Sequence, residues 1–373
     1  MNTIINDPMQ AIFILYSVSI GIQLFYFSFF TAVLHFTKAN LKLGFQTCFS
    51  CYLCKKEFYN LKINLPLILN QDYPEFEVVV VNDVSDDETI FLLEDLEKEY
   101  SHLKVVSITQ DLNFFKGKKF PLALGIKSAR NECLLLTDAD YAPAGPNWIK
   151  EMASNFTNEK EVVLGYGKYI EEKGFLNTVI RYETVMTAIQ YFSMALVGMP
   201  YMGVGRNLAY KRSLFIQNKG FISHYNVSSG DDDLFINKVA NRKNTQIEIN
   251  PASFTTSPGK RRFRDWWIQK RRHLSTGKYY KAKHKLLLGT YSLSLIVLFL
   301  SLIVLLILKY DYVPVLILFA LRLLSQLLIM KKSTDRLQER KLLLISPLIE
   351  IYLLGMFPVM VIANLLFKQN RWK

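Results

Sequence analysis

Apolar residues gather at the two ends of this chain. Residues 9–34 run without a charge for about 39 Å if helical, enough to cross a hydrocarbon core of about 30 Å with some tilt. Asp7 is the only charge before them, and the run is too long for the core of a cleavable signal. It is expected to remain as a membrane helix with the N-terminus outside. Three further apolar segments, 286–308, 313–330 and 342–367, lie near the other end. The connector 331–341 carries Lys331, Lys332, Arg336, Arg340 and Lys341. With Lys38 and Lys42 after the first span and Lys278, Lys281, Lys283 and Lys285 before the second, it places the middle of the chain on the cytoplasmic side. A single crossing by 342–367 would leave Lys368, Arg371 and Lys373 outside, and Pro347, Glu350 and Pro358 interrupt the segment, so one span and a broken or interfacial element both stay open. Arg322 and Glu350 are the only charges within the C-terminal spans and read as a structural ion pair.

The middle, 37–285, alternates strand and helix signals. Phe76-Glu77-Val78-Val79-Val80-Val81 is the pattern of a strand buried on both faces of a parallel sheet. Residues 86–100 follow with Phe91, Leu92, Leu93 and Leu96 at helical spacing; 103–109 and 132–137 read as strands and 121–129 as a helix. Repeated β-α-β units predict an α/β domain with a mainly parallel sheet.

Composition sharpens this picture. Half of the 373 residues are hydrophobic, which fits an integral membrane protein with a soluble middle. The net charge of +13 would suit nucleic acid, but positive-inside loops and anionic lipid account for it equally. Cys48, Cys51 and Cys54 fall in an expected first strand that splits them across two faces with no fourth ligand nearby, which argues against a metal site there and against a disulfide framework.

In open α/β sheets ligands sit beyond the carboxyl ends of the strands, and two predicted ends carry aspartates. Asp83 closes the strand before Val84-Ser85-Asp86-Asp87, where Ser85 or Asp86 is expected to cap the next helix. Leu134-Leu135-Leu136-Thr137-Asp138-Ala139-Asp140 ends in an acidic triplet whose alternation would put Asp138 and Asp140 on one side, about 6 to 7 Å apart. Such hard oxygen ligands suit Mg or Mn bridging a diphosphate. Gly230-Asp231-Asp232-Asp233 opens another apolar helix, either as carboxylates favoured by a helix N-terminus or as a general base. The run 261–273 mixes basic residues with Trp266 and Trp267 and puts Gln269 and Arg272 on one face. With membrane spans adjacent, it reads as an interfacial helix with tryptophans at headgroup depth rather than a nucleic-acid surface.

These elements, in this order, resemble the membrane-embedded inverting glycosyltransferases of family two, which have the GT-A fold and include cellulose, chitin, hyaluronan and ceramide-glucose synthases. The match covers about residues 48–280. Asn82-Asp83-Val84-Ser85 resembles the family's Asn-Asp-Gly-Ser motif, Asp138-Ala139-Asp140 its metal-binding triplet, and Gly230-Asp231-Asp232 its base motif. Gln269-Lys270-Arg271-Arg272-His273 is similar to the Gln-x-x-Arg-Trp signature, and 203–210 to the Gly-x-Asn-x-Ala segment. Lys118-Lys119 resembles the basic pair before a helix. Three positions depart: His273 replaces Trp, Val84 stands where Gly is usual, and Lys55-Lys56-Glu57 replaces Arg-Asn-Glu.

The resemblance implies a membrane helix over 1–36, a cytoplasmic GT-A domain over 37–260, an interfacial helix over 261–285 and a membrane domain over 286–373, in a bacterial-type inner or plasma membrane. It further implies Asp232 as general base, Asp140 as ligand of Mg or Mn, and Asp83, Lys119, Asp138, Gln269 and Arg272 as nucleotide-sugar contacts. Gly205, Asn207, Asp231, Trp267 and His273 would line donor and acceptor. The expected donor is a UDP-sugar and the expected acceptor a lipid or lipid-linked glycan at the cytoplasmic leaflet, with no nucleic-acid partner. A processive polysaccharide synthase with partner subunits and a catalytically silent membrane scaffold are the competing expectations.

Overall fold

The computed structural model describes residues 8–34, 48–54, 57–109 and 117–367. Lys38, Lys42, Lys55, Lys56, Lys368, Arg371 and Lys373, on which parts of the topology and motif reading rest, lie outside them. Among the described residues ten strands form two sheets: β1 (Cys48–Cys54), β2 (Phe76–Asp83), β3 (Leu103–Ile108), β4 (Cys133–Asp138), β5 (Ala142–Pro143), β6 (Val162–Leu164), β7 (Gly167–Tyr169), β8 (Leu208–Lys211), β9 (Thr245–Ile247) and β10 (Thr255–Ser257). The larger has the order β3-β2-β1-β4-β8-β6-β9, and a small one the order β5-β10-β7. β3, β2, β1 and β4 are parallel, while β8 runs against both β4 and β6. This is the α/β architecture expected from the sequence.

Period-two alternation explains why the central strands are apolar throughout. Val79, Val81, Leu134 and Leu136 point into one core, whereas Val78, Val80, Cys133 and Leu135 point into another on the opposite face. The first core continues into the membrane helices through Phe27, Phe30, Met330, Ile349 and Leu353, so the α/β domain and the bundle share one hydrophobic interior. In register, Leu53 of β1 lies opposite both Val81 and Asp138, and Asp83 projects two residues further along β2. Because β1 leads to β2 and β3 on one side and has β4 on the other, these aspartates flank the point where strand order reverses, where α/β folds place ligands.

Among the described residues, four helices are long and apolar enough to cross a membrane: Pro8–Leu34, Ala282–Ile307, Tyr312–Arg336 and Ser346–Leu366. The last is continuous; Pro347 sits in its first turn, where a missing N–H costs nothing, and Pro358 is accommodated within it. The first helix is tied to the others by hydroxyl and amide bonds from Tyr16 to the Val315 carbonyl (3.0 Å), Gln23 to Ser294 Oγ (2.7 Å) and Tyr26 to the Leu287 carbonyl (2.6 Å). Arg322 and Glu350 do pair, at 2.7 Å.

The connector after Tyr312–Arg336 folds onto the α/β domain. Buried Glu339 accepts hydrogen bonds from Tyr166 Oη (3.1 Å) and from Arg181 Nε and a terminal nitrogen (2.9 and 2.6 Å). The connector and the α/β domain therefore lie on the same side of the helical bundle. Two local expectations are corrected. The backbone N–H of Thr89, at the start of helix Thr89–Glu99, is bonded by Asp87 rather than by Ser85 or Asp86. Trp266 is fully buried in the core instead of lying at headgroup depth, because helix Phe263–Leu274 packs against the domain and against Ser346–Leu366.

Candidate active site

A cavity of about 1800 Å³ opens at the carboxyl ends of β2 and β4. It is larger than the roughly 300–1000 Å³ of a typical small-molecule site, and so has room for two substrates. Of the residues read from sequence, Asp83, Asp138, Asp140, Gly205, Asp231, Asp232, Gln269, Arg272 and His273 all line it. Five separate elements bring them together, the last being helix Phe263–Leu274, whose 3.6-residue period aims Gln269, Arg272 and His273 inward.

The acidic triplet is not extended. β4 stops at Asp138, and the Tyr141 N–H closes a turn on the Asp138 carbonyl (3.0 Å), so Asp140 reaches the cavity from a turn rather than a strand. Lys118 donates to Asp138 Oδ1 (2.6 Å) and lies 3.5 Å from Asp231 Oδ2. Burial resists charge on both partners, but the ammonium holds the Asp138 carboxyl below its usual range and the carboxylates raise Lys118. Burial and the Asp138 charge push the Asp140 carboxyl up to about 6, so a cation beside it would be favoured. Lys260 and Lys118 lower it, but by less than its surroundings raise it. No cluster of three or more ligating side chains exists among the described residues. A pair of hard oxygens is nonetheless what Mg or Mn uses when substrate phosphates complete its shell, so Asp140 and Asp138 fit such an ion.

Asp232 caps helix Asp233–Val239. Its Oδ1 accepts from Asp233 N and its Oδ2 from Gly205 N, both at 2.7 Å, which fixes the carboxylate while each oxygen keeps a second lone pair. Burial, then the Asp231 and Asp233 charges, raise it to about 7. Asp233, also at the cavity wall, accepts from Tyr280 Oη (2.8 Å) and Thr276 Oγ1, and so ties the segment after the signature helix to the helix that carries Asp232. Burial and the charges of Lys270 and Arg272 hold His273 well below its usual value, so the imidazole is neutral.

Three residues read from sequence lie elsewhere. Lys119 is buried and donates to the carbonyls of His224 (2.9 Å), Val227 and Ser229 (2.7 Å), clamping that loop; its neighbour Lys118 is the one in the cavity. Asn207 holds the Tyr166 and Ser253 carbonyls (2.9 and 2.8 Å) and accepts from Trp148, behind the cavity wall. Trp267 packs on Phe263 outside the lining. The sequence reading gave no role to Arg206, which lines the cavity with its guanidinium on the Tyr169 and Tyr141 rings (5.0 and 5.8 Å). It adjoins the recognised Asn207, but its direction is set by a tertiary stack that leaves no mark in the sequence.

Val84 follows Asp83 with φ +51°, a conformation costly for a β-branched residue. This is the position where the resembled motif has Gly. Val84→Gly is expected to stabilise the protein by up to about 1 kcal/mol, the strain relieved less the entropy of an added glycine, read as a higher melting temperature of the detergent-purified chain.

The family model for glycosyl transferase family 21 matches residues 59–373. The chain belongs to that family. Family 21 membership agrees with partial matches to named glycosyltransferases. A probable glycosyltransferase of Bacillus subtilis, YdaM, is 26% identical over 59% of this chain and 52% of its own length. The poly-β-1,6-N-acetyl-D-glucosamine synthase of Staphylococcus epidermidis is 33% identical over 23% of this chain and 20% of its own length. The matched stretches thus span between a fifth and about half of these relatives. Among solved structures, a mannosyltransferase of Pyrobaculum calidifontis in complex with GDP-Man and Mn2+ superposes with a TM-score of 0.62 at 18% identity, covering 97% of this chain and all of the other. The family 21 chain therefore has the GT-A fold with appended membrane helices.

Proposed function

We propose that this family 21 chain moves a sugar, with inversion, from a UDP-sugar to the hydroxyl of a lipid acceptor drawn from the adjoining leaflet. The observation that carries the reading is the continuity of the cavity. It begins at Asp83 and Asp138 on the sheet, passes Asp232 and Arg272, and ends between the membrane helices at Leu295, Leu353, Phe357 and Val361. A polar nucleotide at one end and an apolar chain at the other would meet at Asp232.

In this reading Asp83 holds base or ribose, and Arg272 and Lys118 engage the diphosphate, a bidentate guanidinium being suited to phosphate oxygens. Mg or Mn on Asp140, with Asp138 beside it, would neutralise charge on the leaving diphosphate. Asp232 takes the proton of the acceptor hydroxyl as its oxygen bonds to the anomeric carbon, and the bond from that carbon to the diphosphate oxygen breaks. Neutral His273 and Gln269 position the two reactants. Sitting on the side of the bundle where the connector docks, the domain would meet cytoplasmic donor.

Nucleotide release by the detergent-purified chain, measured over a panel of UDP-sugars and GDP-mannose with and without membrane lipid extract, tests the reading. One UDP-sugar is expected to support release that rises with lipid, the sugar label moving into the organic phase. A water-soluble polymer product would overturn the lipid acceptor in favour of processive synthesis, and release from GDP-mannose alone would overturn the uridine assignment.

A further inference from the structure

The ion pair in the membrane helices is not enclosed on every side. Arg322 is 1% exposed and Glu350 5%. The guanidinium spans the carboxylate, one terminal nitrogen 2.7 Å from Oε1 and the other 2.7 Å from Oε2, and the same two nitrogens also donate to Gln326 and Gln23 at 2.6 and 3.3 Å. Phe27 covers the guanidinium face. All of these contacts lie on the arginine's side. Glu350 itself borders the cavity next to Tyr291, Leu353 and Phe357, and Arg322 does not. A pair that served only packing would be replaceable by apolar side chains at little cost, and nothing would call for turning its carboxylate toward an open space. At low dielectric a hydrogen bond to a fixed carboxylate is strong, and a carboxylate accepts only. Glu183 borders the same cavity, and Arg322 and Lys270 are engaged by Glu350 and Glu183 respectively. A phosphorylated head group placed beside Glu350 would therefore meet a carboxylate of its own sign.

We propose that Glu350, held in place by Arg322, is a specificity-determining residue for the acceptor. It receives a hydrogen bond from an N–H or O–H of the head group other than the hydroxyl that is glycosylated, and it selects neutral lipids over phosphorylated ones. The proposal rests on the lipid-acceptor reading above.

Three single-chain probes that differ only at the head test it: 1,2-hexadecanediol, 1-hexadecanol and hexadecyl phosphate, each displacing a fluorescent fatty alcohol from the full chain in detergent. The diol is expected to bind about tenfold tighter than the alcohol, the increment of one hydrogen bond to a charged group, and the phosphate more weakly than either. That order should collapse in Arg322→Leu/Glu350→Leu, which removes the charges together, and shrink in Glu350→Gln, with UDP binding retained in both as the control for folding. Equal affinity for diol and alcohol in the native chain, or an unchanged preference in both variants, would overturn the assignment of Glu350 while leaving the lipid acceptor standing. Binding of none of the three probes would overturn both.

Discussion

Asp232→Asn is expected to lower transfer by about 10³-fold while leaving nucleotide affinity within a factor of a few. The substitution is close to isosteric, and Asn caps a helix as well as Asp does, so helix Asp233–Val239 keeps its first bond. What is lost is the ability to take a proton, together with the bond from Gly205 N, since Asn has a single accepting oxygen. The pH dependence supplies a second readout. Burial and the flanking carboxylates raise Asp232 to about 7, and a base works only when ionised, so the native rate should fall about tenfold for each pH unit below that value. The residual rate of the variant should be flat over the same range. Stability moves the opposite way: an acid raised by folding contributes stability below its unfolded value near 3.8 and loses it as pH rises through about 7. A rising rate with pH therefore cannot be an echo of a more stable fold. Full activity in Asp232→Asn would remove it as the base and direct attention to Asp231.

The second large effect is expected at Asp140. Calorimetric titration of the native chain with UDP should show affinity that rises when Mn is present, and Asp140→Asn should bind UDP with one affinity whether or not Mn is added. Transfer by the variant should drop on the order of 100-fold or more, since a cation on a leaving diphosphate is worth several kcal/mol. Asp138 is less exposed to this test because its charge is already matched by Lys118 at 2.6 Å. If chelator changes neither UDP affinity nor rate in the native chain, the divalent ion is overturned, and the ammonium of Lys118 becomes the cation for the diphosphate.

How much of the site could be read beforehand follows from what kind of physics placed each residue. Asp83, Asp138, Asp232 and Arg272 were legible because each sits at a fixed offset from a strong local signal: the end of an all-apolar strand, the start of an apolar helix, or one face of a basic helix. Lys118 and Lys119 are adjacent and chemically identical, so composition and spacing cannot choose between them. Their opposite fates arise because a helix turns about 100° per residue, which sends one ammonium to Asp138 and the other to three loop carbonyls. Asn207 was read as a site residue from the resembled Gly-x-Asn-x-Ala segment and Trp267 from its place in the basic and aromatic run, but neither lines the cavity. Trp266 was placed at an interface by its amphipathic surroundings and is instead buried, since tertiary packing sets which face of its helix meets the domain.

The sequence by itself determined the α/β class, the order of strand and helix, the four apolar segments and the pairing of Arg322 with Glu350, because these follow from local periodicity and from the cost of charge in hydrocarbon. Tertiary structure alone decided that the sheet's carboxyl ends and the membrane helices enclose one continuous cavity, that Arg206 and Lys118 enter it, and that Glu350 borders its apolar end. Those facts depend on contacts between different elements, from 20 positions apart for Lys118 and Asp138 upward, and no spacing along the chain encodes which face of one element will meet another.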